Sequence, residues 1–170
     1  MAELTQRERL QPALLDRLTD FEPQNREESR EHRVLSLRVL REAVLRDLRW
    51  LLNTTNLFSV LGSPRLPHIR NSVLNYGIPD LSGLSVTSLD TSQIERGIRQ
   101  AIWDFEPRLI RASVVVKALA DGSKTSNKLT FEIEADLWAQ PYPERLYLKT
   151  ELDLESATVS LAENVARSTL

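Results

Sequence analysis

Pro107 divides two hydrophobic periodicities, and that division constrains the fold more than any other feature of the chain. Before it, Ile94, Ile98, Ala101, Ile102 and Phe105 recur at steps of three and four, the spacing of one helix face. Beyond it, from about Leu109, apolar and polar residues alternate as in half-buried strands. Proline fixes its own φ and disfavours the helical conformation of the residue before it. The helix must therefore end near Glu106, and Arg108 must begin the strand in a defined direction. Glu106, Pro107 and Arg108 form a rigid joint flanked by opposite charges. Two readings of it stay open: a helix stop with solvated charges, or a joint that presents a carboxylate and a guanidinium reproducibly.

The alternating part contains three clear runs. Val114, Val116 and Ala118 share one parity; Leu129, Phe131, Ile133, Ala135 and Leu137 another; and Leu146, Leu148, Leu152 and Leu154 a third, interrupted by Thr150. Asp121 to Lys124 marks a hairpin loop, and Gln140 to Pro143 a second connection, so an antiparallel meander is the simplest pairing. Thr130, Glu132, Glu134 and Asp136 fall on its wet face, where Arg145 and Lys149 of the next strand offer cross-strand charge pairs. Ala157 to Leu161 reads as a weaker edge strand.

The first half is helical. Leu37, Leu40, Val44, Leu48 and Leu51 make one continuous stripe within a helix expected over 29–52, about six turns at 3.6 residues each. The stripe reads as core. Arg30, Arg33, Arg38, Arg41, Arg46 and Arg49, interleaved with Glu31, Glu42 and Asp47, read as a solvated face of mixed charge. A shorter helix over 10–18 carries Leu10, Leu14, Leu15 and Leu18, and the aperiodic residues 20–28 read as a mobile linker. From Leu61 to Ser88 the chain is rich in Gly, Pro, Asn and Ser yet not low in complexity, so an ordered irregular segment is expected, with one helical turn at Ser72 to Gly77 closed by Gly77. Asp90 or Thr91 can cap the helix that ends at the proline joint. The expected class is α+β: N-terminal helices and a C-terminal, helix-backed antiparallel meander of three to four strands. The expected units are a mobile helix and linker at 1–28, one domain at 29–161 and a frayed end at 162–170.

Composition narrows the chemistry. The chain lacks cysteine and has only His32 and His68, which excludes disulfides, thiolate zinc sites, cysteine nucleophiles and multi-histidine metal centres. Acidic and basic side chains nearly cancel, 24 against 22, so no global basic field addresses nucleic acid. Arginine supplies 18 of the basic residues, a bias that suits geometry-dependent contacts and protein interfaces. No signal peptide or bilayer-spanning run is visible, and the chain reads as soluble and cytoplasmic, without direct membrane insertion. Asp104 with Glu106 is the nearest carboxylate pair, but Arg108 would keep Glu106 ionised rather than make it an acid. The glycines, Gly83 and Gly97 included, form no phosphate loop, and no Gly-x-Ser-x-Gly setting exists for a serine nucleophile. No catalytic residue, cofactor site or metal site is expected.

Three stretches taken in order, Trp50 to Thr54, Ser72 to Leu81 and Phe105 to Leu109, resemble the baseplate wedge family of contractile injection machines, and within it the type VI secretion branch. The resemblance runs from Leu10 to Leu18 through Leu137 to Pro141 and on to Thr150 to Glu155, and the family's Glu-Pro-Arg signature falls on Glu106, Pro107 and Arg108. It implies a structural subunit without catalysis that joins other wedge subunits at a membrane-anchored baseplate and seeds the contractile sheath by accepting strands from a sheath subunit. It also implies that Glu106 and Arg108 stabilise a docking surface or its loop, while Pro107 sets their directions. Ser72, Asn75, Tyr76 and Gly77 would belong to a packing or partner-contact segment, with Val73 and Leu74 in the core. A peptidoglycan-cleaving, lysozyme-like enzyme and an unrelated cytosolic adaptor are the alternatives.

Overall fold

The computed structural model describes residues 13–19, 37–62, 67–81, 90–119, 128–139, 143–156 and 158–163. Helix α1 spans Leu14–Leu18, α2 Leu37–Leu52, α3 Leu57–Leu61 and α4 Thr91–Phe105; strands β1 Val115–Leu119, β2 Lys128–Leu137, β3 Glu144–Asp153 and β4 Thr158–Glu163 follow. The strands lie in the order β1-β2-β3-β4, each pair antiparallel. This is the α+β meander that the switch of periodicity requires. The expected linker at 20–28, the helical turns before Leu37, the hairpin loop at Asp121 to Lys124, residues 140–142 and the end after Glu163 lie outside the described residues.

One face of the sheet is apolar because Phe131, Ile133, Leu146, Leu148 and Leu152 share parity across β2 and β3, and it packs with the α2 and α4 stripes into one core. Helix α4 lies along β1 and touches α2, while α2 lies along β4. Val44 and Leu48 of α2 and Ile102 of α4 are fully buried, each such side chain contributing about 1.5–3 kcal/mol before chain entropy is subtracted. Thr150, which interrupts the β3 leucines, is tolerated because its hydroxyl donates to the Phe131 carbonyl at 3.0 Å. Thr130 departs from the expected wet face and is buried, flanked by its register partners Leu119 and Glu151. The expected cross-strand pair does form, with Arg145 Nε 2.6 Å from Asp136 Oδ1.

At the joint, Asp90 caps α4 by accepting from the Ser92 amide at 3.0 Å. The helix ends as expected, with the Glu106 amide donating to Ile102 O at 2.9 Å before Pro107. Beyond it the strand starts later than its alternation suggests. Leu109 makes only an isolated bridge to Leu137, a 3-10 turn follows at Arg111–Ser113, and β1 begins at Val115. Ser113 holds that interruption, its hydroxyl donating to Ile110 O at 2.7 Å and accepting from the Asp136 amide at 2.8 Å. The joint is thereby tied to the end of β2, where the Trp138 amide donates to Arg108 O at 2.8 Å.

Candidate functional site

Because Pro107 ends α4 and turns the chain back, Arg108 lies over its own helix end and beside α2. Its Nε donates to Glu106 Oε1 at 2.6 Å and its Nη2 to Glu106 Oε2 at 2.5 Å, a fork-on-fork pair. The same Nη2 reaches Asp47 Oδ2 of α2 at 2.6 Å. The Arg108 amide also donates to Glu106 Oε1, at 3.2 Å. The Glu106 side chain is 3% exposed and that of Arg108 22%, so the pair is not the solvated one of the simplest reading. Burial disfavours the Arg108 charge, but hydrogen bonding and attraction from Glu106, and then from Asp47, outweigh it and hold its pKa above the usual arginine value.

Asp47 extends the network. Its Oδ1 accepts from Arg46 Nε at 2.9 Å, and Arg46 Nη1 reaches Asp16 Oδ1 of α1 at 2.6 Å. Alternating charges thus run Asp16, Arg46, Asp47, Arg108, Glu106, from α1 across α2 to the end of α4. Reading the polar residues of α2 as a solvated face is corrected here for Arg46 and Asp47, and also for Arg41, which pairs with Glu144 at 2.7 Å and with Glu163. The α1 helix, expected to be carried on a mobile linker, meets its own domain through Asp16 and Leu15, while Leu14 and Leu18 face solvent.

Beside the network opens a cleft of about 250 Å³ lined by Leu15, Trp50, Leu51, Tyr76 and Phe105 together with Asp47, Glu106 and Arg108. Tyr76 stands edge-on to Phe105, ring centroids 5.2 Å apart. Burial, then the negative charges of Asp47 and Glu106, raise the Tyr76 pKa above its ordinary value. Arg108 Nη1 is buried with no hydrogen-bond partner among the described residues.

The Ser72 to Gly77 segment reaches this cleft through Tyr76 alone. Ser72 caps a 3-10 turn at Val73–Asn75, accepting from the Leu74 amide at 3.3 Å and donating to Ile69 O at 2.9 Å. Asn75, buried, accepts from the Phe58 amide at 3.0 Å and donates to Arg70 O at 2.9 Å, which ties the turn to α3. Val73 and Leu74, expected in the core, are 81% and 65% exposed, because the tight turn directs Asn75 inward in their place. Tyr76, not Gly77, closes the turn. Gly77 instead permits a close backbone approach, since at φ +120° it passes so near Thr54 that a Cβ would stand 2.2 Å from Thr54 O. That approach lets Ile78 bridge in parallel to Thr55, with Ile78 N to Thr54 O at 2.8 Å and Asn56 N to Ile78 O at 2.9 Å.

The three sequence stretches therefore converge on one end of α2. Asp47 was the residue sequence reasoning missed. Its signal was its place: Leu40, Val44, Asp47 and Leu51 advance by four, three and four, so a carboxylate borders the apolar stripe, half-buried, where it calls for a cation partner.

The site is thus a helix-backed meander braced by an ion-pair network in which the motif's carboxylate is taken up by its own arginine. The family of the baseplate wedge protein gp25 matches residues 38–142, more than half of the chain, and the chain belongs to that family. Its members are structural components of a baseplate in phage-tail-like assemblies. No curated protein and no solved structure matched.

Proposed function

We propose that this chain is the wedge subunit of a type VI secretion baseplate, the TssE-type member of its family, joining neighbouring wedge subunits and starting the contractile sheath by accepting a strand from a sheath subunit. The observation that carries this reading is the four-stranded antiparallel meander with two helices on one face, which offers sheet edges as templates for strand addition. The Glu106 to Arg108 network stiffens the surface on which a wedge partner docks, since its ion pairs join the end of α4 to α2. Tyr76 carries the Ser72 to Gly77 segment into the same surface. The protein works in the cytoplasm and reaches the membrane through the assembled baseplate. Among the described residues no helix is long and apolar enough to cross a membrane.

Catalysis has no place in this reading, since Glu106 accepts three hydrogen bonds from Arg108 and has no setting as a proton donor. The deciding experiment replaces the chromosomal copy and follows a fluorescent sheath subunit. Loss of the chain should abolish sheath assembly, and the purified protein should co-purify with wedge subunits while releasing no muropeptides from cell wall. Muropeptide release abolished by Glu106→Gln, or normal sheaths without the chain, would overturn the reading.

A further inference from the structure

Both edges of the sheet are occupied by side chains, in chemically different ways. On β1 the Ala118 amide donates to Glu95 Oε1 of α4 at 2.7 Å. On β4 the side-chain amide of Asn53, just past the end of α2, takes both backbone groups of Val159: Nδ2 donates to Val159 O at 2.9 Å, and the Val159 amide donates to Oδ1 at 2.9 Å. A residue of an antiparallel strand makes that same paired exchange with the residue opposite it. Asn53 therefore stands where one residue of a fifth strand would stand.

We infer that β4 is the edge that accepts an incoming strand and that Asn53 is its removable place-holder; this rests on the strand-addition reading above. Several features distinguish the two edges. Asn53 is exposed, and its Nδ2 also donates to Arg49 O at 2.8 Å, so the released amide keeps a partner and turns to water. Glu95 is half-buried, and its bond to Ala118 is charge-assisted, so displacing it would strand a carboxylate. Strand β1 carries an exposed lysine, Lys117, a residue that blunts edges, whereas the Thr158–Glu163 segment has neither lysine nor proline.

The register defines the occupant. Because Val159 turns its N–H and C=O outward, alternation turns those of Leu161 and Glu163 the same way. These three residues also share the core-facing parity, since they stand opposite Leu152, Thr150 and Leu148. The strand that fits runs antiparallel to β4 and alternates in character. It places an apolar side chain opposite buried Leu161, a polar one opposite Glu163 where Arg41 is paired, and polar residues between them on the wet face.

Amide hydrogen exchange on the full chain, alone and with the purified sheath subunit of the same secretion machine, tests this. With sheath subunit bound, the Leu161 and Glu163 amides should slow by about tenfold or more while Val116 stays unchanged. Asn53→Ala, which removes the competitor, should bind the sheath subunit up to about tenfold more tightly, and Glu95→Gln should leave that affinity unchanged. Protection at Val116 instead of Leu161 would reject the edge assignment and leave strand addition intact. Binding without protection at either edge would reject strand addition itself. Weaker binding by Asn53→Ala that is folded by circular dichroism would make Asn53 a support rather than a place-holder, and so overturn its role.

Discussion

Asp47 and Arg108, 61 positions apart, meet at 2.6 Å, and this contact joins the longest helix to the proline joint. The guanidinium is shared between a carboxylate on α2 and a nearly inaccessible one at the end of α4. The Glu-Pro-Arg motif is thus part of the framework before it is part of any interface.

Arg108→Ala should therefore be costly. The exposed-pair value is about 0–1 kcal/mol and the buried-pair value about 3–5. With Glu106 left buried and unpaired, the loss should fall at about 2–4 kcal/mol, read from urea denaturation. Arg108→Lys should recover part of it, because a lysine keeps the charge and loses the fork. A loss under about 0.5 kcal/mol for the alanine variant, within the range of ordinary surface substitutions, would return the motif to a purely presented role.

Gly77→Ala should harm folding through the backbone. The new Cβ would stand 2.2 Å from Thr54 O at a φ of +120°, so the Thr55 to Ile78 bridge must open. A strained position of this kind costs about 1–3 kcal/mol, with the broken bridge in addition. Thermal unfolding would record it as a clear fall in Tm, and an unchanged Tm would mean that the close approach has slack. Gly62→Ala makes a useful control, since its φ of +72° carries strain but nothing lies within 4 Å of an added Cβ.

Removing residues 1–20 should cost little. Among the described residues, helix α1 contributes one ion pair, Asp16 to Arg46, and one partly covered leucine, Leu15. The expected change is about 1 kcal/mol, or about 2–4 °C in Tm for a chain of this size. The same deletion uncovers the cleft at Trp50 and Tyr76. Collapse of the fold on deletion would show α1 to be integral.

Alkaline pH should weaken the protein through Tyr76. Its folded pKa lies above the unfolded value of about 10, so full stability holds below that pH and declines as pH rises from there through the folded pKa. Tyr76→Phe should flatten that decline and change little at neutral pH, since the hydroxyl makes only a 3.5 Å contact with Asp47 O. Denaturation midpoints between neutrality and about pH 11 compare the two, and parallel curves would remove Tyr76 as the cause.

Much of the fold was readable because it rests on periodicity. The α2 stripe, the α4 stripe and the alternation of β2 and β3 each bury one face, and burial dictates the spacing. What escaped depends on contacts between distant segments. Asp47 looks like a surface charge until Arg108 is folded against it. Val73 and Leu74 look like core until a 3-10 turn puts Asn75 inside, and Leu109 looks like the start of a strand until Ser113 interrupts the pairing. Asn53 does not stand out in the sequence, because its hold on Val159 spans 106 positions.

That span has a consequence for biosynthesis. The contacts that close α2 against the sheet, Arg41 to Glu144 and Asn53 to Val159, have sequence separations of 103 and 106. In a nascent chain α4 can begin to cover the leucine stripe of α2, but its cover is complete only once β3 and β4 have been made, whereas the hairpins of the meander can close one after another. Chains truncated before β4 lose the part of that cover which β4 supplies and are candidates for chaperone capture and proteolysis. Joining of β4, the last strand among the described residues, is then the step that completes the core around α2.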